Sequence, residues 1–468
     1  MKCRPILAPA IGLLALAALV FVTMRAVGVG PFAKKSRSAP VVIFVVMDTV
    51  RADRTSLCGY RHPTTPNLEE LVEDGASFAC GSHSPSTWTL PSHASFFTGV
   101  GSDQHRAGNG GGSKAMKFGG VTPLGPSLPT LAEEMSARGY QTLLLSGNPV
   151  VAERMGLTRG FGHVAIGRRF PMMHDHRLAA RLKGLLRVAR LDPKRPLFAF
   201  VNIADPHTPW TAIPEDVGFL PPRSGMAVQP ERRRYESGEM SDDEAERWLA
   251  HLSDVYDYSI WRADRSLGLI LDVFRSTGWL DEDYRLVVTS DHGEYLGEHQ
   301  MAEHGREFFY EPVTRVPFIY YSTEGELDLP SDVPSIAAHS LVRDGVLLEP
   351  LPPSFASVFR NPQALGEANP PCLFSRAALW EGSTKLVADR GRVMRFDLAA
   401  DPDEEKPMPA DDHPAAPKLL AQCRALDEGY VSRPVVDPEL DAQVSAQLKA
   451  LGYLADDDPP PAEPSDAP

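Results

Sequence analysis

Cysteine is scarce and scattered. Cys3, Cys58, Cys80, Cys372 and Cys423 are odd in number and contain no C-x-x-C spacing. This excludes a small disulfide scaffold and argues against a zinc–thiolate site, while a Cys58–Cys80 bridge is compatible with an exported chain. Positive charge is also short: 47 Lys+Arg face 61 Asp+Glu, for a net charge of −14. An acidic surface repels a phosphate backbone, so no nucleic-acid partner is expected. There is no internal repeat, and 43% apolar with 8% aromatic residues exclude collagen and wholesale disorder. The 468 residues suit two or three average domains, or one large α/β domain with an appendage.

Acidic residues are missing from the first 40 positions, which carry Lys2, Arg4, Arg25, Lys34, Lys35 and Arg37. Between them, Pro5–Met24 is uncharged and mostly Ala, Leu, Ile and Val, enough to cross ~30 Å of hydrocarbon as a helix. A cleaved signal peptide and an uncleaved anchor both fit. The run exceeds the usual signal-peptide core and no clean Ala-x-Ala site follows, so residues 1–38 are read as an anchor. Basic residues on both flanks leave the orientation open by charge alone. The simpler topology keeps the short tail inside and places the large domain on the periplasmic or extracytoplasmic side. At the other end, residues 455–468 are rich in Asp, Glu and Pro and lack aromatics, which predicts disorder.

Four short apolar runs each lead into polar residues. Val41–Met47 ends in Asp48, and Gln141–Leu145 leads to Asn148. Leu197–Ile203 leads to Asp205 and His207, and Leu286–Thr289 to Asp291 and His292. Continuous rather than alternating apolar strands indicate a sheet buried on both faces. Helices are predicted between them: Pro66–Asp74, Ser127–Arg138, and a long one capped by Ser241 and Glu244 that runs toward Ser276. Such alternation reads as a doubly wound α/β domain, whose ligands bind beyond the carboxyl ends of the strands. The alternating Lys385–Leu398 segment predicts a small antiparallel subdomain from about residue 370. The expected division is 1–38 anchor, 39–369 catalytic domain, 370–410 β subdomain, and 411–468 helix plus tail.

Asp48, Asp291 and His292 offer carboxylate oxygen and imidazole nitrogen at two strand ends, a donor set suited to Zn²⁺, Mn²⁺ or a related divalent metal. Singly, each residue reads as a turn cap or a satisfied loop histidine; together they point to a metal. Ser84–Gly99 places Pro91 in the first turn of a helix and Thr89 at its N-terminus, where an anion is favoured. A metal-bound hydroxyl there would be acidified into a usable nucleophile, although from that segment alone a plain Thr/Ser helix cap is the better reading. Asn148 suits either donation to a substrate oxygen or closure of a turn. Arg51 and His105 read as structural, and no spacing near His299 and Glu303 forces a second metal.

In order along the chain stand Asp48-Thr49-Val50-Arg51-Ala52-Asp53, Thr89-Leu90-Pro91-Ser92-His93 with Thr98-Gly99, Asp205-Pro206-His207-Thr208-Pro209-Trp210, and Thr289-Ser290-Asp291-His292-Gly293-Glu294. Leu296-Gly297-Glu298-His299, His304-Gly305, Arg315-Val316-Pro317, Phe396-Asp397-Leu398 and the Leu448–Leu454 tail follow. This series resembles the sulfatase family of the alkaline phosphatase-like superfamily, over about residues 40–410. The resemblance implies an alkaline phosphatase-like mixed sheet flanked by helices, with a metal (Zn, Mn or Ca) held by Asp48, Thr89, Asp291 and His292. It further implies Thr89 as nucleophile, with His207 and His304 contacting the transferred group or the leaving oxygen.

Three departures matter. Thr89 stands where formylglycine-dependent sulfatases carry Cys or Ser in C/S-x-P-x-R, and His93 replaces the Arg, so no formylglycine is expected. Thr49 replaces a second Asp, and Gly147-Asn148 replaces a Lys-x-His element. Within the superfamily a Thr nucleophile is characteristic of phosphoethanolamine transferases, lipoteichoic acid synthase and nucleotide phosphodiesterases. The expectation is therefore an exported, membrane-tethered hydrolase or transferase of phosphate or sulfate esters, phosphate favoured, with a lipid or envelope-polymer substrate. A catalytically silent relative that binds an anionic glycan or lipid is the alternative.

Overall fold

The computed structural model describes residues 37–109, 121–167, 176–226, 228–304, 308–351, 354–359 and 375–431. The apolar run at 5–24, the linker after it, Gly305 and the acidic tail lie outside the described residues. Among the described residues no helix is long and apolar enough to cross a membrane.

Seven strands form the main sheet: β1 (Val41–Met47), β2 (Ser77–His83), β3 (Gln141–Ser146), β4 (His163–Ile166), β5 (Leu197–Ile203), β6 (Tyr284–Thr289) and β7 (Arg315–Ser322). Their order is β2-β7-β6-β1-β5-β3-β4. The five from β6 to β4 are parallel, whereas β7 runs antiparallel to both β6 and β2. The architecture is thus the mixed, helix-flanked α/β sheet expected. Every residue of β1 is buried, and its side chains alternate between two cores: Val41, Ile43, Val45 and Met47 on one face, Val42, Phe44 and Val46 on the other. That double burial is why the strand reads as an unbroken apolar run.

Helices α1 (Pro66–Glu73), α2 (Thr89–Thr98), α3 (Leu131–Ala137), α4 (His176–Val188), α5 (Asp242–Ser276) and α6 (Ala338–Asp344) cover the sheet. The α5 start carries the predicted capping box, with Ser241 Oγ accepting from the Glu244 N–H and the Glu244 carboxylate accepting from the Ser241 N–H. α3 is shorter than the predicted 127–138. Thr130 caps it, accepting from the Glu133 N–H while the Glu133 carboxylate accepts from the Thr130 N–H. With Thr130 in extended backbone at the cap, Ser127–Pro129 fall outside the helix.

A second sheet contains β8 (Ser354–Phe359), β9 (Ser375–Glu381), β10 (Thr384–Asp389), β11 (Arg392–Asp397) and β12 (Met408–Pro409), all antiparallel neighbours. It takes in Ser354–Phe359, ahead of the expected boundary at 370. One face packs on α7 (Ala416–Val431) and the other joins a core of the main sheet through Ala356, Ala378 and Trp380.

Gly99 ends α2 with φ +72°, and a β-carbon there would come within 2.8 Å of His339 Nδ1 on α6. Burial, and next the Arg343 charge, push His339 down to about 4. It therefore folds neutral. As pH falls from the unfolded value of ~6.5, the unfolded chain takes up a proton that the folded chain refuses, so stability falls, by up to about 3 kcal/mol near pH 4. His339→Gln is expected to flatten the fall of Tm over that window. An unchanged slope in thermal scans at stepped pH would refute this.

Candidate active site

The site lies beyond the carboxyl ends of β1, β3, β5 and β6. Asp48 follows β1, Asn148 follows β3, His207 follows β5, and Asp291 and His292 follow β6. α2 delivers Thr89 as its first residue, with Trp88 at the cap and Pro91 in the first turn. All of Asp48, Thr89, Asn148, His207, Asp291 and His292 are essentially buried. His304 stands over the cluster, its ring centroid 4.3 Å from that of His292 and 4.9 Å from that of His207. The structure thus brings together all seven residues singled out from the sequence.

Three of them share one arrangement: one polar atom is engaged and another is left without a partner. Asp48 Oδ2 accepts from Asn148 Nδ2 at 2.7 Å and from Asn202 Nδ2 at 3.0 Å. Asp291 Oδ1 accepts from the Thr49 N–H at 3.2 Å. His292 Nδ1 lies 3.0 Å from the Gly293 carbonyl, which fixes the proton on Nδ1 and leaves a lone pair on Nε2. Asp48 Oδ1, Asp291 Oδ2 and His292 Nε2 have no hydrogen-bond partner although fully buried. They converge: Nε2 is 3.4 Å from Asp291 Oδ2 and 4.0 Å from Asp48 Oδ1. Buried polar atoms are ordinarily satisfied, so three orphans facing one point form a candidate cation site. The donor set fits a divalent metal, and each ligand is oriented by a second hydrogen bond, as metal ligands usually are.

The electrostatics agree. Burial alone would raise Asp48, but the adjacent imidazoles of His207 and His292 and the Asn148 amide offset it and hold the carboxyl below its usual range. Burial, then the charge of Asp48, raises Asp291 well above a normal carboxyl. Burial, then His304, pushes His292 well below the usual imidazole range. Without a cation, two buried carboxylates cannot both ionise side by side.

Thr89 is wired into this cluster. Its hydroxyl hydrogen-bonds Asp291 and accepts from Asn148 Nδ2 at 3.2 Å. Asn148 Oδ1 meanwhile accepts from the Val150 N–H, closing the turn after β3. Both of its amide ends are therefore engaged with the protein, which places it as an orienting group for Asp48 and Thr89. His93 lies behind, with Nδ1 2.9 Å from the Thr89 carbonyl and 3.5 Å from Asp291 Oδ2, and burial pushes it down to about 4. Thr49, at the departure from the double-Asp pattern, takes φ 61°. A β-branched residue in the left-handed region is strained, and the Tyr256 hydroxyl, donating to its carbonyl at 2.5 Å, holds it there.

Other residues noted in the sequence are structural. Arg51 pairs with Asp53 and Glu298 at 2.7 Å each. Asp205 faces Arg262 and Ser266 on α5. His105 Nε2 meets Ser95 Oγ, and His299 stacks on Tyr310. Two contributors escaped the sequence reading. Asn202 orients Asp48 from within β5, and a lone amide in the buried run Leu197–Ile203 was the available signal. Glu294 lies 3.0 Å from His304 Nδ1 and leaves Oε1 unpartnered; burial pushes it up to about 8. It sits in the Asp291-His292-Gly293-Glu294 motif, but nothing in the spacing shows that it faces inward.

A family model for sulfatases matches residues 40–340. The chain belongs to the sulfatase family. The sulfatase fold is seen again in solved structures. A phosphonate monoester hydrolase of Agrobacterium radiobacter superposes with a TM-score of 0.58 at 19% identity, covering 84% of this chain and 96% of that one. One from Silicibacter pomeroyi gives 0.58 at 19% identity, covering 86% and 98%. A 2-O GAG sulfatase gives 0.55 at 17% identity, covering 86% and 96%. At such identities the likeness is one of fold. In sequence, an ulvan-active sulfatase of Formosa agariphila is 24% identical over 284 residues, 55% of this chain and 48% of that one. The chain thus spans about half the length of the sulfatase it matches in sequence.

Proposed function

We propose that this sulfatase-family protein is a metal-dependent hydrolase or transferase of phosphate or sulfate esters that uses Thr89 as its nucleophile, with phosphoesters preferred. The observation that carries it is the convergence of Asp48 Oδ1, Asp291 Oδ2 and His292 Nε2 beside the Thr89 hydroxyl. A divalent cation bound there supplies Lewis acidity, lowering the pKa of a neighbouring hydroxyl and neutralising charge on the transferred group. Zn²⁺, Mn²⁺ and Ca²⁺ are the candidates.

Asn148 points its amide at Thr89 Oγ1 and orients the attack. Thr89 Oγ1 forms a bond to the phosphorus or sulfur as the bond to the ester oxygen breaks. The hydroxyl proton leaves along its hydrogen bond to Asp291, and the departing oxygen takes a proton from His304, which regains one at Nδ1 from the Glu294 carboxyl, pushed up to about 8 and 3.0 Å away. Threonine carries a single hydroxyl, so the ester on Thr89 is released by a second displacement at the central atom, by water in hydrolysis or an alcohol in transfer. Fold neighbours named as phosphonate monoester hydrolases and as sulfatases leave both ester classes in view. The threonine places phosphorus first. The retained donor set speaks against the silent-relative reading.

We further place the catalytic domain in an oxidising, extracytoplasmic compartment, tethered through residues 1–38. The Cys58–Cys80 disulfide joins residues 22 apart and supports that location. Its loop closure contributes about 3 kcal/mol, so the double variant Cys58→Ser, Cys80→Ser is expected to melt several degrees lower. No change in Tm would mean that the bridge does not form.

The deciding experiment reconstitutes the protein with Mn²⁺, Zn²⁺ or Ca²⁺ and compares p-nitrophenyl sulfate, p-nitrophenyl phosphate and bis-p-nitrophenyl phosphate. Faster turnover of a phosphoester supports the reading. Turnover of the sulfate ester alone would overturn the substrate preference, and metal-independent turnover the mechanism.

A further inference from the structure

We propose that the basic face of α4 and the turn after it docks on an anionic lipid surface. Between Arg177 and Arg195 the chain carries seven Lys or Arg and a single acid, Asp192, in a protein whose net charge is −14. Leu178, Leu182 and Leu186 turn into the core, while Arg177, Arg181, Lys183, Arg187, Arg190 and Lys194 are all exposed. No ion pair joins any of these six to another described residue. Val188, 73% exposed, lies among them, an apolar side chain offered to solvent on a cationic face. A solvated helix face normally mixes both signs of charge; this one does not.

The path of the chain favours a bilayer over a soluble polyanion. α4 connects the carboxyl end of β4 to the start of the parallel strand β5, so its last turn lies at the sheet end opposite the site. Arg37 is fastened at that same end: Nε donates to the Pro193 carbonyl at 3.0 Å, and Nη1 to the Trp279 carbonyl at 3.0 Å. The chain that leads back to the apolar run at 5–24 leaves the fold at Arg37, whose backbone N–H donates to Glu282 at 2.9 Å while its guanidinium reaches the carbonyl just before Lys194. Only residues 25–36 intervene, about 40 Å at full extension, and Arg25, Lys34 and Lys35 add to the cationic charge. Basic residues next to a membrane segment are attracted to anionic headgroups. Docking in this sense turns the strand ends bearing Asp48 and Asp291 away from the bilayer, toward a substrate arriving from the aqueous side. The proposal rests on the tether put forward above.

The test places the full chain in nanodiscs of phosphatidylcholine, with or without phosphatidylglycerol. Amine acetylation by a water-soluble reagent is then read residue by residue. Labelling of Lys183 and Lys194 is expected to fall several-fold on the anionic discs and recover at high salt, with exposed Lys418 on α7 unchanged. In the surface variant Arg187→Glu, Arg190→Glu that protection is expected to vanish. Equal labelling of Lys183 and Lys194 on both discs overturns the proposal. So does protection by soluble dextran sulfate without protection by phosphatidylglycerol, which would assign the face to a polyanionic polymer. Retention on phosphatidylcholine discs reads the tether separately: a chain lost from those discs but protected on anionic ones sinks the tether and upholds the face.

Discussion

Thr89→Ala is expected to lower kcat/KM for the preferred ester at least about a thousandfold, roughly 4 kcal/mol of transition-state stabilisation. The side chain is buried in the first turn of α2 and its hydroxyl bridges Asn148 and Asp291. Alanine fits the helix, and Asn148 keeps its bond to Asp48, so the fold and the three metal-facing atoms should survive. Circular dichroism and the metal-induced rise in Tm are the controls. Thr89→Ser, which keeps an oxygen, is expected to retain activity within about tenfold. Steady-state assays in which the alanine variant stays within tenfold of the parent would end the nucleophile assignment.

Asp291→Asn should move stability in opposite directions with and without metal. In the metal-free protein at neutral pH, burial and the Asp48 charge raise the Asp291 pKa. A raised carboxyl pKa stabilises nothing above the unfolded value of ~3.9; it costs stability as pH rises toward the folded pKa. Asparagine copies the protonated form, with a carbonyl for the Thr49 N–H. The metal-free variant is therefore expected to be more stable than the metal-free parent, by about 1–3 kcal/mol. Metal should then add little to its Tm, and turnover should fall at least about a hundredfold. Thermal melts of both proteins with and without chelator decide. A variant that is destabilised without metal and still gains from it would refute the assignment.

How far the sequence reached depended on whether a feature is local. Both capping boxes are contacts three residues apart, and Ser241 with Glu244 could be read directly, whereas Thr130 with Glu133 was hidden by the preceding Ser-Leu-Pro. The four apolar runs became four neighbouring or near-neighbouring strands because only double burial tolerates such composition. Polar residues at their ends then had to meet, since parallel strands share one carboxyl edge. Asn202 and Glu294 were not legible as site residues. One lies inside a strand whose other side chains are core, and the other reaches His304 across a turn.

By itself, then, the sequence determined the α/β class, the strand ends that carry chemistry, and the replacement of a modifiable residue by Thr89, because these follow from residue type and short-range periodicity. Only the tertiary structure decided which atoms are unsatisfied. It left Asp48 Oδ1, Asp291 Oδ2 and His292 Nε2 facing one point, and it drew Ser354–Phe359 into the second sheet. It also set the chain's entry at Arg37 beside the basic turn after α4. The two carboxylates and the entry at Arg37 are held by hydrogen bonds between residues 100 to 242 positions apart, as in Asn148 to Asp48 and Thr49 to Asp291. Packing makes such pairs, and no local pattern encodes them.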